Sequence, residues 1–393
     1  MTAGSRRLGA GAATFFMYEG PTFPSPASLM ACRNILRMQP LDAPMAQFYS
    51  EIGLHQVLSV HPSRVYDPER ADLFYVPVLP HLDSDAGRCN GTGHKARMAQ
   101  VVKVLQASPH WRRRNGTDHV WACSCVMMKG MMTNMLWDML GSAVHAVHSV
   151  PRRRASPSGC QLAVPYLNPT FARPPASVRE PGLARPTLAH FRGRVMNRVR
   201  SALVKRYGTA PGAGIIQAAH ASTAARCNVN KCKRRSMDEH GFSPERHFEE
   251  MRSATFCLVP RGDSPPSSRL YLAVAAGCIP VFLSDDFEGA FAPVVPWPSF
   301  SLRFAEAELQ DKSFNLTSRL LAVATDRPRL LQMQASLRDH AADVLYELPD
   351  SRVGSHFLRQ AWLAIQSVCS GELSTNSAPG ITWESAKGLD RKR

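Results

Sequence analysis

Two short apolar runs, residues 254–260 and 278–283, stand either side of a turn-rich segment and a helix-compatible stretch, and this order constrains the chain more than any other feature. Neither run shows the alternation of a half-exposed strand, so both read as strands buried on two faces, as in parallel sheets. Between them, residues 261–268 carry the Gly, Pro and Ser of a loop, residues 269–276 suit a helix, and Gly277 stands where a C-terminal glycine belongs. Ser267 or Ser268 is placed to cap that helix. The unit is βαβ, and a loop at the carboxyl end of its first strand leads into a helix start, where unpaired N–H groups favour anions. Arg261 and Arg269 strengthen the anion site. The bland alternative is an ordinary turn whose arginines face solvent.

The same order recurs earlier. Residues 72–79 read as a buried strand, 96–105 keep helical spacing, 119–126 read as a second strand, and 129–148 as a helix whose methionines pack in a core. Six prolines in residues 165–186 mark a linker. We expect an α/β protein with an N-terminal domain over 1–180 and a second over 181–350. The second domain is expected to open on a strand at 188–191 and a basic helix at 194–207, and to keep helical spacing over 320–345. A last helix is expected at 351–369, and the polar tail, 370–393, is expected to be disordered.

Lys and Arg number 47 against 31 Asp and Glu, a formal charge of +16, so anionic partners are favoured. The basic clusters at Arg112–Arg114, Arg152–Arg154 and 231–235 lie in separate loops without interleaved aromatics, which argues against nucleic acid. Residues 1–18 hold no apolar run near the roughly 18 residues a spanning helix needs, so no membrane anchor is expected in this chain. Ten cysteines permit a few disulfides, with Cys227 and Cys232 placed to clip a basic loop. Asn90, Asn115 and Asn315 begin N-glycosylation sequons.

Five ordered blocks carry a family resemblance. Residues 256–270 (FCLVPRGDSPPSSRL) and 276–281 (AGCIPV) resemble the signature of exostosin-type glycosyltransferases, including plant and algal members. Residues 67–77 (DPERADLFYVP), Trp111 through Asp118–His119, 185–194 (RPTLAHFRGR) and 297–306 resemble further blocks, covering about 15–345 in the family's order. The resemblance implies a GT-B fold, two Rossmann-like domains facing a cleft, with a nucleotide-sugar donor on the C-terminal domain and a glycan or glycoprotein acceptor on the N-terminal one. It implies inverting, metal-independent transfer from a UDP-sugar, with no cofactor, in the Golgi lumen, and leaves room for a partner subunit. The donor-binding candidates are Gly193, Arg194, Arg261, Gly262, Ser267, Ser268 and Arg269 for the diphosphate, Asp263 beside them in the donor site, and Asp285 and Asp286 for the sugar. Asp118 and His119 are the first candidates for the base, and His81, Asp83 and Asp85 are others.

The family's helix carries a carboxylate three residues after the arginine, where this chain has Leu272. That departure motivates a rival reading, an inactive glycosyltransferase-like scaffold that binds an acidic glycan or a partner. Asp83-Ser84-Asp85 motivates another, a metal-dependent GT-A site.

Overall fold

The computed structural model describes residues 13–36, 48–123, 134–148, 161–168, 180–193, 195, 197–208, 216–220, 244–262, 265, 267–292 and 294–367. Their strands form two sheets. β1 (Phe15–Met17), β2 (Arg64–Val65), β3 (Leu73–Tyr75), β4 (His119–Ala122), β5 (Val144–Val147) and β6 (Gln161–Ala163) lie in the order β2-β1-β3-β4-β5-β6. β7 (Thr187–Gly193), β8 (Ile216–His220), β9 (Ala254–Pro260), β10 (Ile279–Leu283) and β11 (Leu302–Arg303) lie in the order β11-β10-β9-β7-β8. Every pairing is parallel. β9 and β10 are buried at each position, which explains why their sequences are apolar without alternation. The result is two Rossmann-like α/β units, the GT-B arrangement.

Several local expectations change. Among the described residues of the stretch expected to be one helix over 129–148, the helix covers Asn134–Leu140, and the chain then turns at Gly141 into β5, where Val144 and Val147 suit a buried strand. Of its methionines, Met139 packs against the core while Met135 is exposed. The helical stretch over 320–345 is broken at Asp326, whose carboxylate accepts from the Arg329 N–H and starts a second helix, Arg327–Asp339, with a proline in its first turn. The Cys227/Cys232 loop, the Arg152–Arg154 and 231–235 clusters, and the tail lie outside the described residues.

The helix Val353–Ser367 returns to the first unit. Phe357 packs edge-on to Tyr75 in β3, and Ser355 Oγ bonds His61 Nε2 at 3.0 Å. Before the helix, Asp343 receives Arg352 Nε at 2.5 Å, His356 Nε2 at 2.7 Å and His340 Nδ1 at 2.7 Å. Burial alone would raise the Asp343 pKa, but these hydrogen bonds outweigh it and hold the carboxyl well below its usual range. A depressed carboxyl pKa contributes stability that is full above about pH 4 and lost as pH falls towards the folded-state value. Asp343→Asn is therefore expected to flatten the acid limb of a stability-versus-pH curve. Acid unfolding that is identical in the two proteins would contradict this.

Cys32 is bonded to Cys89 and Cys257 to Cys278, across sequence separations of 57 and 21 residues. The second bond ties β9 to the turn into β10. By loop-closure entropy the first contributes about 4 kcal/mol and the second about 3 kcal/mol. Denaturant unfolding of the Cys32→Ala/Cys89→Ala protein should show the larger loss, and the reverse ranking would refute the loop-length account. Among the described residues no helix is long and apolar enough to cross a membrane.

Candidate active site

Strand order determines where a parallel sheet can hold a ligand. In the second sheet β8 lies on one side of β7 and β9 to β11 on the other, so the connections diverge between β7 and β9 and leave a crevice at their carboxyl ends. Gly193 ends β7 there, and Arg261 and Gly262 follow β9. The segment read from sequence as an anion site therefore lies at the switch point.

Arg269 opens the helix Arg269–Ala275 and turns back over β7. Its Nε donates to the Arg192 carbonyl at 2.9 Å, and its guanidinium stands 5.4 Å from the Phe191 ring centroid. A Cβ on Gly193 would lie 2.2 Å from Arg269 Nη2 and 2.9 Å from Cζ, so only glycine leaves room for this placement. No carboxylate among the described residues pairs with Arg269. Burial, followed by the neighbouring Arg200, lowers its pKa to about 9. A buried cation beside a second cation is costly unless an anion joins them.

Asn197 and Arg200 hold the opposite wall. Asn197 Nδ2 donates to the carbonyls of Arg261 and Gly262 at 3.0 Å each, while its Oδ1 caps the helix Arg198–Tyr207 through the Arg200 N–H. Arg200 Nε donates to the Arg261 carbonyl at 2.8 Å. Neither residue was singled out from sequence, where the helix read simply as basic. An asparagine three residues before Arg200 is the capping signal that could have found them. Ser267 is buried, and Ser268 holds the N-cap position with helical backbone angles and no side-chain capping bond, unlike the expectation for it. Gly277 does adopt a left-handed φ of 64° at the helix end. Arg194 and Asp263 lie outside the described residues.

Asp285 and Glu306 clasp one another: the Glu306 N–H donates to Asp285 Oδ1 at 3.0 Å and the Asp285 N–H to Glu306 Oε1 at 3.3 Å. Glu306 also faces Arg261 at 3.7 Å. Asp285 is exposed and Asp286 half-buried, both just beyond β10. Leu272 is buried, at 7% exposure, within the core rather than turned towards the crevice rim.

The first-choice bases are displaced. Asp118 and His119 stand at the amino end of β4, away from the carboxyl ends where ligands bind, and both are fully buried. Asp118 bonds His119 Nδ1 at 2.8 Å and Arg113 at 3.1 Å, and His119 Nε2 bonds the Tyr18 hydroxyl at 2.9 Å between Phe74 and Trp111. They hold the sheet's packed face together. Arg113, in the expected basic cluster, is thus an exposed side chain that pairs with a buried carboxylate.

His81 is better placed. The first sheet has its own switch point between β1 and β3, and the chain beyond β3 leads into His81 in the helix Pro80–Ala86. Phe48 stacks on its ring at 5.4 Å, Tyr49 meets it edge-on, and Asp85 Oδ2 lies 3.5 Å from Nε2. Both ring nitrogens are buried without a hydrogen bond, and burial lowers the pKa although Asp85 opposes this. Asp83 is engaged by Arg97 Nε at 2.7 Å and His94 Nδ1 at 2.5 Å, and Asp85 by the Tyr49 hydroxyl at 2.6 Å. The two carboxylates serve separate partners, so Asp83-Ser84-Asp85 forms no metal-holding pair. Across the seam between the units, the Asn168 N–H donates to Glu347 Oε1 at 3.2 Å, and burial raises the Glu347 pKa to about 7.

The family profile of the exostosin GT47 domain matches residues 15–319. The chain belongs to that family. A probable glucuronosyltransferase of Oryza sativa subsp. japonica is 30% identical to this exostosin chain over 301 residues, 73% of this chain and 67% of that protein. A probable beta-1,4-xylosyltransferase of Arabidopsis thaliana is 27% identical over 294 residues, 72% of this chain and 68% of that one. An Anabaena protein solved with UDP-glucose covers 88% of this chain and all of its own, at a TM-score of 0.36 and 9% identity, too remote to bear on the site. The exostosin signature and the crevice coincide: Arg261, Gly262, Ser267 and Arg269 line one strand end.

Proposed function

We propose that this exostosin-type glycosyltransferase moves a sugar from a UDP-sugar to a glycan or glycoprotein acceptor, with inversion and without a catalytic metal. One observation carries the reading. Arg269 is a half-buried guanidinium that pairs with no carboxylate among the described residues, seated at the switch point against the end of β7. A departing diphosphate gains charge as the glycosidic bond breaks, and preorganised donors stabilise that charge more than the ground state. Arg261 and Arg269 supply the cations, with Gly193, Gly262, Ser267 and Ser268 around them, and Asp285 and Asp286 stand where the sugar would lie. His81, with Asp85 beside it, takes the acceptor proton. Phe48 must swing aside to admit the hydroxyl.

The relatives are named as xylosyl- and glucuronosyltransferases, one of them for glucuronoxylan, which makes the UDP forms of xylose and glucuronic acid the first donors to try and xylan-type glycan the first acceptor class. The disulfides and the exposed Asn90, Asn115 and Asn315 agree with the oxidising Golgi lumen. Asn315 caps its helix through Oδ1, leaving Nδ2 for a glycan.

Calorimetric titration with these donors, with and without EDTA, followed by product analysis on xylan oligosaccharides, tests the reading. Saturable, EDTA-insensitive binding and a lengthened product support it. The buried Leu272, where the family has a carboxylate, favours a second reading in which donor binding has been lost and the chain acts as a scaffold. Absence of binding by every donor, in folded protein, selects that one.

A further inference from the structure

A cluster behind β7 has no part in the donor reading. His190 lies in β7, while His247 and Glu250 lie one turn apart on the helix Pro244–Arg252, where an i,i+3 spacing puts them on one face. One ligand atom from each lies within 4.8 Å of the other two. His190 Nε2 and His247 Nδ1 are 3.3 Å apart. Zinc holds imidazole nitrogen at about 2.0–2.1 Å, and two such ligands at a tetrahedral angle stand about 3.3 Å from one another. Both imidazoles are buried, at 3% and 7% exposure.

We propose that His190, His247 and Glu250 form a site for a borderline first-row dication, zinc above all, stapling β7 to the helix behind it. Glu250 also receives Arg192 Nη1 on its two oxygens at 3.0 and 2.9 Å and Arg246 Nε at 3.2 Å, so its carboxylate is shared. Sharing disfavours magnesium and calcium, which depend on several oxygen ligands, and leaves the two imidazoles as the main attraction. Three protein ligands leave one tetrahedral position open. The ion's role is to fix β7, whose last residue, Gly193, forms the seat of Arg269.

The test uses the full chain, stripped with a chelator and dialysed, then titrated with zinc chloride and with cobalt chloride. The expected result is one ion per chain, a tetrahedral cobalt absorption spectrum, and an unfolding temperature raised by about 4 °C or more at a hundredfold excess over Kd. Glu250→Gln, nearly isosteric, and His247→Gln should each weaken binding by about tenfold or more. The chain has 14 histidines, so other sites compete. No stoichiometric binding, or binding unchanged in both variants, would overturn the proposal. Metal binding is read directly, so the result is independent of whether the chain transfers sugar.

Discussion

Arg269→Ala raises the Kd for UDP about 100-fold or more while leaving the protein folded. Removing one member of a buried, hydrogen-bonded charge pair costs about 2–5 kcal/mol, and 2.7 kcal/mol is a hundredfold in affinity. The folded state should tolerate the change, because the deletion removes a cation that lies beside Arg200 and pairs with no carboxylate among the described residues. Arg269→Lys keeps charge but loses the planar fork and the Nε bond to the Arg192 carbonyl, so an intermediate loss of about tenfold is expected. Gly193→Ala reports on the same seat from the other side, since its methyl group occupies the space of Nη2. It too should weaken UDP, by about tenfold. Calorimetry against UDP, with circular dichroism to confirm folding, checks all three. An Arg269→Ala protein that binds UDP as the parent does would remove the diphosphate from this crevice.

His81→Gln separates binding from chemistry. A positioned base contributes about 10²–10⁴ in rate, so kcat should fall by that factor while the donor Kd stays as it is. The pH profile gives a second readout. Burial lowers the His81 pKa, so the imidazole stays neutral to lower pH, and the acid limb of kcat should lie below the ordinary value of about 6.5 and vanish in the variant. If Glu347→Gln abolishes that limb and His81→Gln leaves it intact, the base lies at the seam between the units instead.

The second unit was far more legible than the first. β9, Arg261, the turn at Gly277 and β10 announce themselves because buried parallel strands need uninterrupted apolar residues and a loop needs Gly, Pro and Ser. β1, β2, β6 and β11 are two or three residues long, too short for any periodicity to register. β5 reads from sequence as part of a helix because Ala and Met on its amino side mask a four-residue strand. Site residues followed the same logic. Arg269 was visible from its place at a helix start, whereas Asn197 and Arg200 act through backbone carbonyls 60 residues or more away, a relation that pairing across the sheet creates and local pattern does not contain. Asp118 and His119 looked catalytic by residue type. Which end of a strand faces the crevice is a property of the sheet, and these two stand at the amino end of β4.

The return of Val353–Ser367 onto the first unit bears on how the protein comes to exist. His61 and Ser355 touch across 294 residues of chain. A ribosome delivers the first unit long before the segment that seals its surface, so Tyr75 and the helix Ser50–Ser59 wait uncovered through most of synthesis. The Cys32–Cys89 bridge joins residues that emerge early and can close during that wait. Oxidation would then precede sealing. A polypeptide released prematurely before Val353 leaves a covalently bridged but unsealed first unit, with apolar surface that invites aggregation.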